Sequence, residues 1–284
     1  MEHMHRSLER MNMLLGRARM YLRRRADGLR YWQRERAYWR TQMQAWYRDR
    51  YGLALHPEQD DERHVPPRRL VVQIQPRARA NPVAFLASGQ RIVMLYLREL
   101  NDHGFDPCRF ERILDFGAGF GRLLLHYYPL PAELHGCDVT ERAVAFAKTR
   151  HGQRARLLRN ELAPPLPYDD ASFDYIYANS VFTHIQTDML HPWIAELARI
   201  TRPHACVIVS VFSASSYLRH LTEHEFDHVE SGKGYMEFGS SHIRQRLLFA
   251  TSRMHRLWWS PYFDVLEQRS HFKDQDHLVM RRRG

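Results

Sequence analysis

The residues best suited to chemistry stand at positions 113–122, Ile-Leu-Asp-Phe-Gly-Ala-Gly-Phe-Gly-Arg. An apolar strand pattern ends at Phe116, glycines follow at 117, 119 and 121, and a helical segment is expected over residues 122–128. Gly117 permits a tight turn, while Gly119 and Gly121 let backbone come close to a ligand and to the strand. The start of the next helix offers free N–H groups to an anion. Tight strand-to-helix turns also use glycine for packing alone, so a second element matters more. Asp138 ends the next strand, 21 residues after Gly117. An acid at that distance can accept hydrogen bonds from both hydroxyls of a ribose, and Val139 beside it can pack on a purine face. The loop reads Asp-x-Gly-x-Gly-x-Gly, not the dinucleotide Gly-x-Gly-x-x-Gly. A pyrophosphate gains nothing from the Asp115 carboxylate, whereas a ligand with an ammonium group does.

S-adenosylmethionine has an amino-acid end and a nucleoside end, and here the chain resembles the class I S-adenosylmethionine-dependent methyltransferases, in their small-molecule and glycan branch. The resemblance covers about residues 84–212 through the order of its elements. It includes the glycine loop, Asp138, the segment Leu166-Pro167-Tyr168-Asp169-Asp170-Ala171-Ser172-Phe173-Asp174, and the helix Trp193–Ile200 running into Thr201-Arg202-Pro203. Gln275-Asp276 before an apolar strand is similar to the last strand of a bacterial branch found with cell-surface glycan genes. The resemblance implies S-adenosyl-L-methionine as cofactor. Asp115 and Gly117 would contact its methionine end, with Ala118 and Gly119 lining the loop and Asp138 on the ribose. Asn160 would face the adenine amine and Asn179 the sulfonium region, and Gly89 and Arg91 would help hold the carboxylate. One departure is Pro203-His204-Ala205, where the family usually has Pro-Gly-Gly.

Methyl transfer needs an aligned nucleophile and, for a hydroxyl, a proton acceptor. His184, in Asn179-Ser180-Val181-Phe182-Thr183-His184 after the fourth strand, has the chemistry of a general base, and packing or capping is the competing reading. No Asn-Pro-Pro-Tyr or Asp-Pro-Pro-Tyr follows that strand, so amino methylation of nucleobases is not supported. His224 and His228 share a helical face, but spacing fixes no third ligand, and no metal is expected. Tyr235, Phe238, Trp258, Trp259 and Tyr262 are candidates to wall an acceptor site, or to fill the core.

These residues need a frame. Short strands are expected at 112–116, 133–138, 155–158, 173–178 and 205–212, separated by helices at 140–150 and 191–200, with a closing hairpin at 263–270 and 276–281. The alternation predicts an α/β fold, a doubly wound, mostly parallel, seven-stranded Rossmann-like sheet. Residues 213–255 interrupt the rhythm as an insertion. The domain reading is a basic helical extension at 1–55, a linker at 56–82 and a methyltransferase domain at 83–284.

The extension holds most of the charge. Residues 1–50 carry 13 arginines against five acids, a net +8 of the chain's +10. Their heptads, with Trp32, Trp39 and Trp46 on one seam, predict one long coiled-coil-like helix that something must cover. The expected cover is a second copy of the chain, with the body folding without the arm. Peripheral contact with an anionic membrane is the second reading, and nucleic acid is the partner least supported. No apolar run approaches membrane-spanning length, and three scattered cysteines suit a reducing cytoplasm. The expected function is O-methylation of a sugar, a cell-surface glycan precursor or another small metabolite. The alternatives are a catalytically silent scaffold of the same fold and a nucleic-acid methyltransferase that uses the arm.

Overall fold

The computed structural model describes residues 28–67, 70, 82–213, 221–239, 246–270 and 275–284. Helix α1 spans 28–51 and α2 spans Pro82–Asp102. Then come β1 (Arg112–Phe116), β2 (Glu133–Asp138), α3 (Glu141–His151), β3 (Ala155–Arg159) and β4 (Phe173–Ala178). They are followed by α4 (Thr187–Ile200), β5 (Thr201–Val211), α5 (Glu223–Ser231), β6 (Tyr235–Phe238) and β7 (Leu247–Ala250), and lastly α6 (Ser252–Trp259), β8 (Phe263–Arg269) and β9 (Asp276–Arg282). Seven strands form one sheet in the order β3-β2-β1-β4-β5-β9-β8, and β6 and β7 form a separate antiparallel pair. β1 to β5 run parallel, and β9 is antiparallel to both neighbours. The strand order reverses between β1 and β4, so a crevice opens at the carboxyl ends of these two strands.

The central strands are apolar on both faces, as a sheet covered on both sides requires. On one face Ile113, Tyr175, Tyr177 and Ile208 pack with α2, α3 and α1; on the other Leu114, Ile176, Val207 and Val209 pack with α4 and α6. Trp258 and Trp259 belong to this second core, so the tryptophan pair is structural and not an acceptor wall. The helical segment expected at 122–128 is only a short 3-10 turn, Leu124–Tyr127. Pro129 and Pro131 leave too little chain for an α-helix there.

The arm departs most from expectation. Residues 1–27 lie outside the described residues, but from residue 28 the tryptophan seam turns inward. Met43 and Tyr47 are fully buried, and Trp39, Trp46 and Tyr51 pack on the same core. The Tyr47 hydroxyl donates to the His126 carbonyl at 3.0 Å, and the Arg98 guanidinium lies over Trp39. Over its carboxyl-terminal half, the seam assigned to a second copy is thus covered by the chain's own body. The linker reading also changes. Residues 52–67 form two 3-10 turns, Pro57–Asp60 and Glu62–His64, with Gln59 and His64 buried and Leu53, Leu55 and Val65 packed on the core. His56 and Gln59 close a capping box over the first turn. No helix among the described residues is long and apolar enough to cross a membrane.

His204, which stands where the family usually has glycine, has φ 66°. A side chain in this left-handed region costs about 1 kcal/mol or more. His204→Gly should therefore raise stability by about 0.5–1 kcal/mol, offset partly by glycine's extra unfolded-state freedom. Urea unfolding checks this, and an unchanged or lower midpoint contradicts it.

Candidate active site

The glycine loop lies in the crevice, and all three glycines take positive φ: 80° at Gly117, 54° at Gly119 and 76° at Gly121. Each meets a different constraint. A Cβ on Gly117 would sit 2.2 Å from Val181 Cγ2, so the β1 loop and the segment after β4 touch there. A Cβ on Gly121 would sit 2.1 Å from His151 Nε2, at the end of α3. Gly121 thus admits a helix end, not a ligand. Gly119 faces open space, with only Asp138 Oδ2 nearby at 3.9 Å, and this is the position where a ligand can approach backbone.

Asp138 organises the loop. Its Oδ2 accepts from the Gly119 N–H at 2.8 Å, and its Oδ1 accepts from the Thr140 N–H at 2.7 Å. The Gly117 and Ala118 N–H groups both donate to the Cys137 carbonyl. Each Asp138 oxygen keeps a lone pair for a ribose hydroxyl, and Val139 is half-buried beside it. Asp138→Ala should therefore lose a charged acceptor and a loop clamp together. The expected cost is about 1.5–3 kcal/mol of cofactor affinity, roughly 10- to 150-fold. Titration calorimetry with S-adenosylhomocysteine would measure it, and an unchanged Kd would remove Asp138 from the site.

Asp115 is buried beneath the loop, and its Oδ2 has no hydrogen-bond partner among the described residues. Burial pushes its carboxyl up to about 8, opposed by the Tyr177 hydroxyl and the Arg122 guanidinium and aided by the Asp138 charge. Asn160 is buried beyond β3; its N–H donates to the Asp138 carbonyl, its amide donates to the Glu161 carbonyl, and its Oδ1 has no partner among the described residues. Two buried acceptors, one on each side of the Asp138–Gly119 clamp, suit a ligand with an ammonium at one end and an amine at the other. These residues therefore fit S-adenosylmethionine.

Across the crevice, Asn179 Oδ1 accepts from the Tyr96 hydroxyl at 3.3 Å, and its amide lies 3.4 Å from Ser180 Oγ. Ser180, with φ 59°, donates its hydroxyl to Gln275 Oε1, as does Ser210. This polar wall joins α2, the ends of β4 and β5, and the start of β9. Ser180, Ser210, Gln275 and Tyr96 are not singled out by residue type or spacing, although Gln275-Asp276 is the pair that marks the last strand. Behind the wall His277 bonds Glu99 at 2.8 Å and packs against Tyr96. His184 is half-buried, with Nδ1 2.7 Å from the Arg246 carbonyl. A carbonyl only accepts, so Nδ1 carries the hydrogen and Nε2 carries the lone pair.

Gly89 serves packing. A Cβ on Gly89 would meet His126 Nε2 at 2.8 Å and Arg122, so this glycine lets α2 pack on the segment after the loop. Arg91 is half-buried two residues further along α2, while Arg122 is the guanidinium whose charge reaches Asp115. His224 and His228 are exposed, and no group of metal-binding side chains occurs among the described residues.

Residues 113–204 match the family model of a methyltransferase domain. The structure is similar to that of a protein from Pyrococcus horikoshii OT3, at 18% identity and TM-score 0.52, over 69% of this chain and 92% of that one. It is also similar to a SAM-dependent methyltransferase from Methanosarcina mazei (17% identity, TM-score 0.48, 64% and 97% covered). A third similar structure is 1,6-didemethyltoxoflavin-N1-methyltransferase of Burkholderia thailandensis, with bound 1,6-didemethyltoxoflavin and S-adenosylhomocysteine (16% identity, TM-score 0.48, 69% and 88% covered). The matched segment, about a third of the chain, runs from β1 through the glycine loop, Asp138 and β4 into β5, and this part of the chain is similar to a methyltransferase domain.

Proposed function

We propose that the chain methylates an oxygen of a sugar, a cell-surface glycan precursor or another small hydroxylated metabolite. The observation that carries this reading is the polar wall of Asn179, Ser180, Ser210 and Gln275 facing the glycine loop. With Gln275 Oε1 taken by two hydroxyls, its amide nitrogen is turned away from them and is available to an acceptor oxygen. An apolar acceptor would leave that amide unpaired, at a cost of about 1–3 kcal/mol. S-adenosylmethionine, when bound, supplies a methyl group activated toward displacement. Asp115, Asp138 and Asn160 hold its two ends, and Asn179 faces the crevice between them. His184 Nε2 takes the proton of the acceptor hydroxyl, its tautomer fixed through Nδ1.

The test is transfer of labelled methyl from S-adenosylmethionine to a panel of methyl glycosides, sugar nucleotides and simple diols. Label in a hydroxyl-derived ether is expected, and label appearing only on nitrogen or sulfur acceptors defeats the reading. His184→Ala should lower turnover at least tenfold while cofactor affinity stays within about twofold. Loss of cofactor binding or of stability instead would make His184 structural.

A further inference from the structure

The connection from β3 to β4, residues 160–172, contains no helix. Helices α4 and α6 cover the β4–β5 side of this face, but over β2 and β3, among the described residues, irregular chain roofs the sheet. An open cleft of about 390 Å³ lies between that chain and the sheet, lined by Arg112, His135, Arg156, Tyr168, Asp169 and Ser172 among others. Arg112 opens β1, and His135 stands in register between Leu114 and Arg156. The cavity therefore sits toward the amino ends of the strands, while the glycine loop lies at their carboxyl ends.

Its lining is chemically incomplete. His135 is 6% exposed, and neither ring nitrogen has a hydrogen-bond partner among the described residues. Glu133 Oε2 is 3.6 Å from Nε2, beyond hydrogen-bond reach. The Tyr168 hydroxyl is also buried without a partner among them, and its ring packs edge-on against His135 at 5.6 Å. At the mouth, the Arg112 and Arg156 guanidiniums face one carboxylate, Glu133, at 3.4 and 3.9 Å. A single half-exposed carboxylate at these distances leaves both forks with donors to spare. Buried polar atoms of this kind call for a partner. Two guanidiniums, a hydroxyl and an imidazole N–H line one cleft and outnumber its single lining carboxylate, the exposed Asp169, and the ligand that uses these donors is an anion with several oxygens.

We propose that this cavity binds a small oxyanion, inorganic phosphate or the phosphate of a phosphomonoester, through Arg112, Arg156, His135 and Tyr168. Glu133 holds the two guanidiniums in place when the site is empty and competes with the anion when it is filled. The site is separate from the methyl-transfer crevice, and its occupancy is read without any acceptor.

The experiment is calorimetric titration of the full chain with inorganic phosphate and, separately, with glycerol 3-phosphate. Saturable one-to-one binding of either is expected. Tighter binding of glycerol 3-phosphate assigns the site to a phosphomonoester; tighter binding of phosphate assigns it to the free ion. Arg156→Ala, on an exposed side chain that the fold does not need, should weaken binding about tenfold or more, and His135→Gln should do the same. Glu133→Gln should tighten binding several-fold by removing the competing carboxylate, an effect that a merely structural role would not give. Asp138→Ala should leave it unchanged. Failure of both probes to saturate, or equal affinities in wild type, Arg156→Ala and Glu133→Gln, overturns the proposal and leaves the methyltransferase assignment untouched.

Discussion

Tyr47→Ala should lower the stability of the whole chain by about 3–5 kcal/mol, the range for removing a large buried aromatic ring. Tyr47 belongs to an N-terminal helix that reads from sequence as a detachable arm, yet its side chain is fully buried among residues of α2 and the sheet. Its hydroxyl bonds a carbonyl 79 residues further along the chain. Truncation to ring-less alanine leaves a cavity that close-packed neighbours fill only in part. Met43 lies one turn away and is equally buried, so a chain beginning at residue 55 should lose more and unfold at lower urea. Tyr47→Phe isolates the hydroxyl and should cost only about 1 kcal/mol. Equal urea midpoints for wild type, Tyr47→Ala and the shortened chain would restore the arm to an independent extension.

The difference between seam and partner shows what the sequence could carry. The heptad of Trp32, Trp39 and Trp46 states that a stripe must be covered, because so apolar a face is not left to water. It does not state what covers it; that depends on Arg98 and Gln59 arriving from elsewhere in the fold. Strands were legible because their signal is local: β1, β2 and β4 have the expected bounds, since short apolar runs between turn residues admit little else. The segment after Gly121 was harder, because its helical composition loses to two prolines and to the contact of Gly121 with His151. The placement of the candidate cofactor residues was legible for the same reason as the strands. Asp115, Gly117 and Asp138 are bound to strand ends and spacing. The proposed acceptor wall is assembled from α2, β4, β5 and β9, and Tyr96, Ser180, Ser210 and Gln275 are ordinary residues until the sheet brings them together. The β3–β4 roof carried a local sign, its run of prolines, but that sign marks only a missing helix and not the polar groups left under it.

Binding of S-adenosylhomocysteine should strengthen with pH, about ninefold from pH 6 to 7 and about fivefold from pH 7 to 8. The cause is Asp115. Its carboxyl is pushed up to about 8 by burial, so without ligand it is mostly protonated at pH 6. The ligand's ammonium favours the carboxylate, and binding must release the proton. Well below the raised value the observed affinity climbs with near-unit slope, the slope falls as pH nears 8, and the two-unit window gives about fiftyfold. Calorimetry in buffers of different ionisation enthalpy should register about one proton released at pH 6.5 and less at pH 8.5. The stability of the free protein carries the same sign in reverse. A carboxyl raised from 3.8 contributes stability that is complete below about pH 4 and is lost as pH rises through 8. The thermal shift given by the ligand should therefore be larger at pH 8 than at pH 6. Three buried histidines act oppositely: burial lowers His126 and His151 to about 3 and His255 to about 4. Their contribution is complete above pH 6.5 and is lost as pH falls toward those values, which sets the acid limit of the measurement at about pH 6. Asp115→Asn removes the titrating group and should flatten the affinity profile while lowering affinity at pH 8. A wild-type profile already flat between pH 6 and 8, with no proton released, would place the ligand's ammonium away from Asp115.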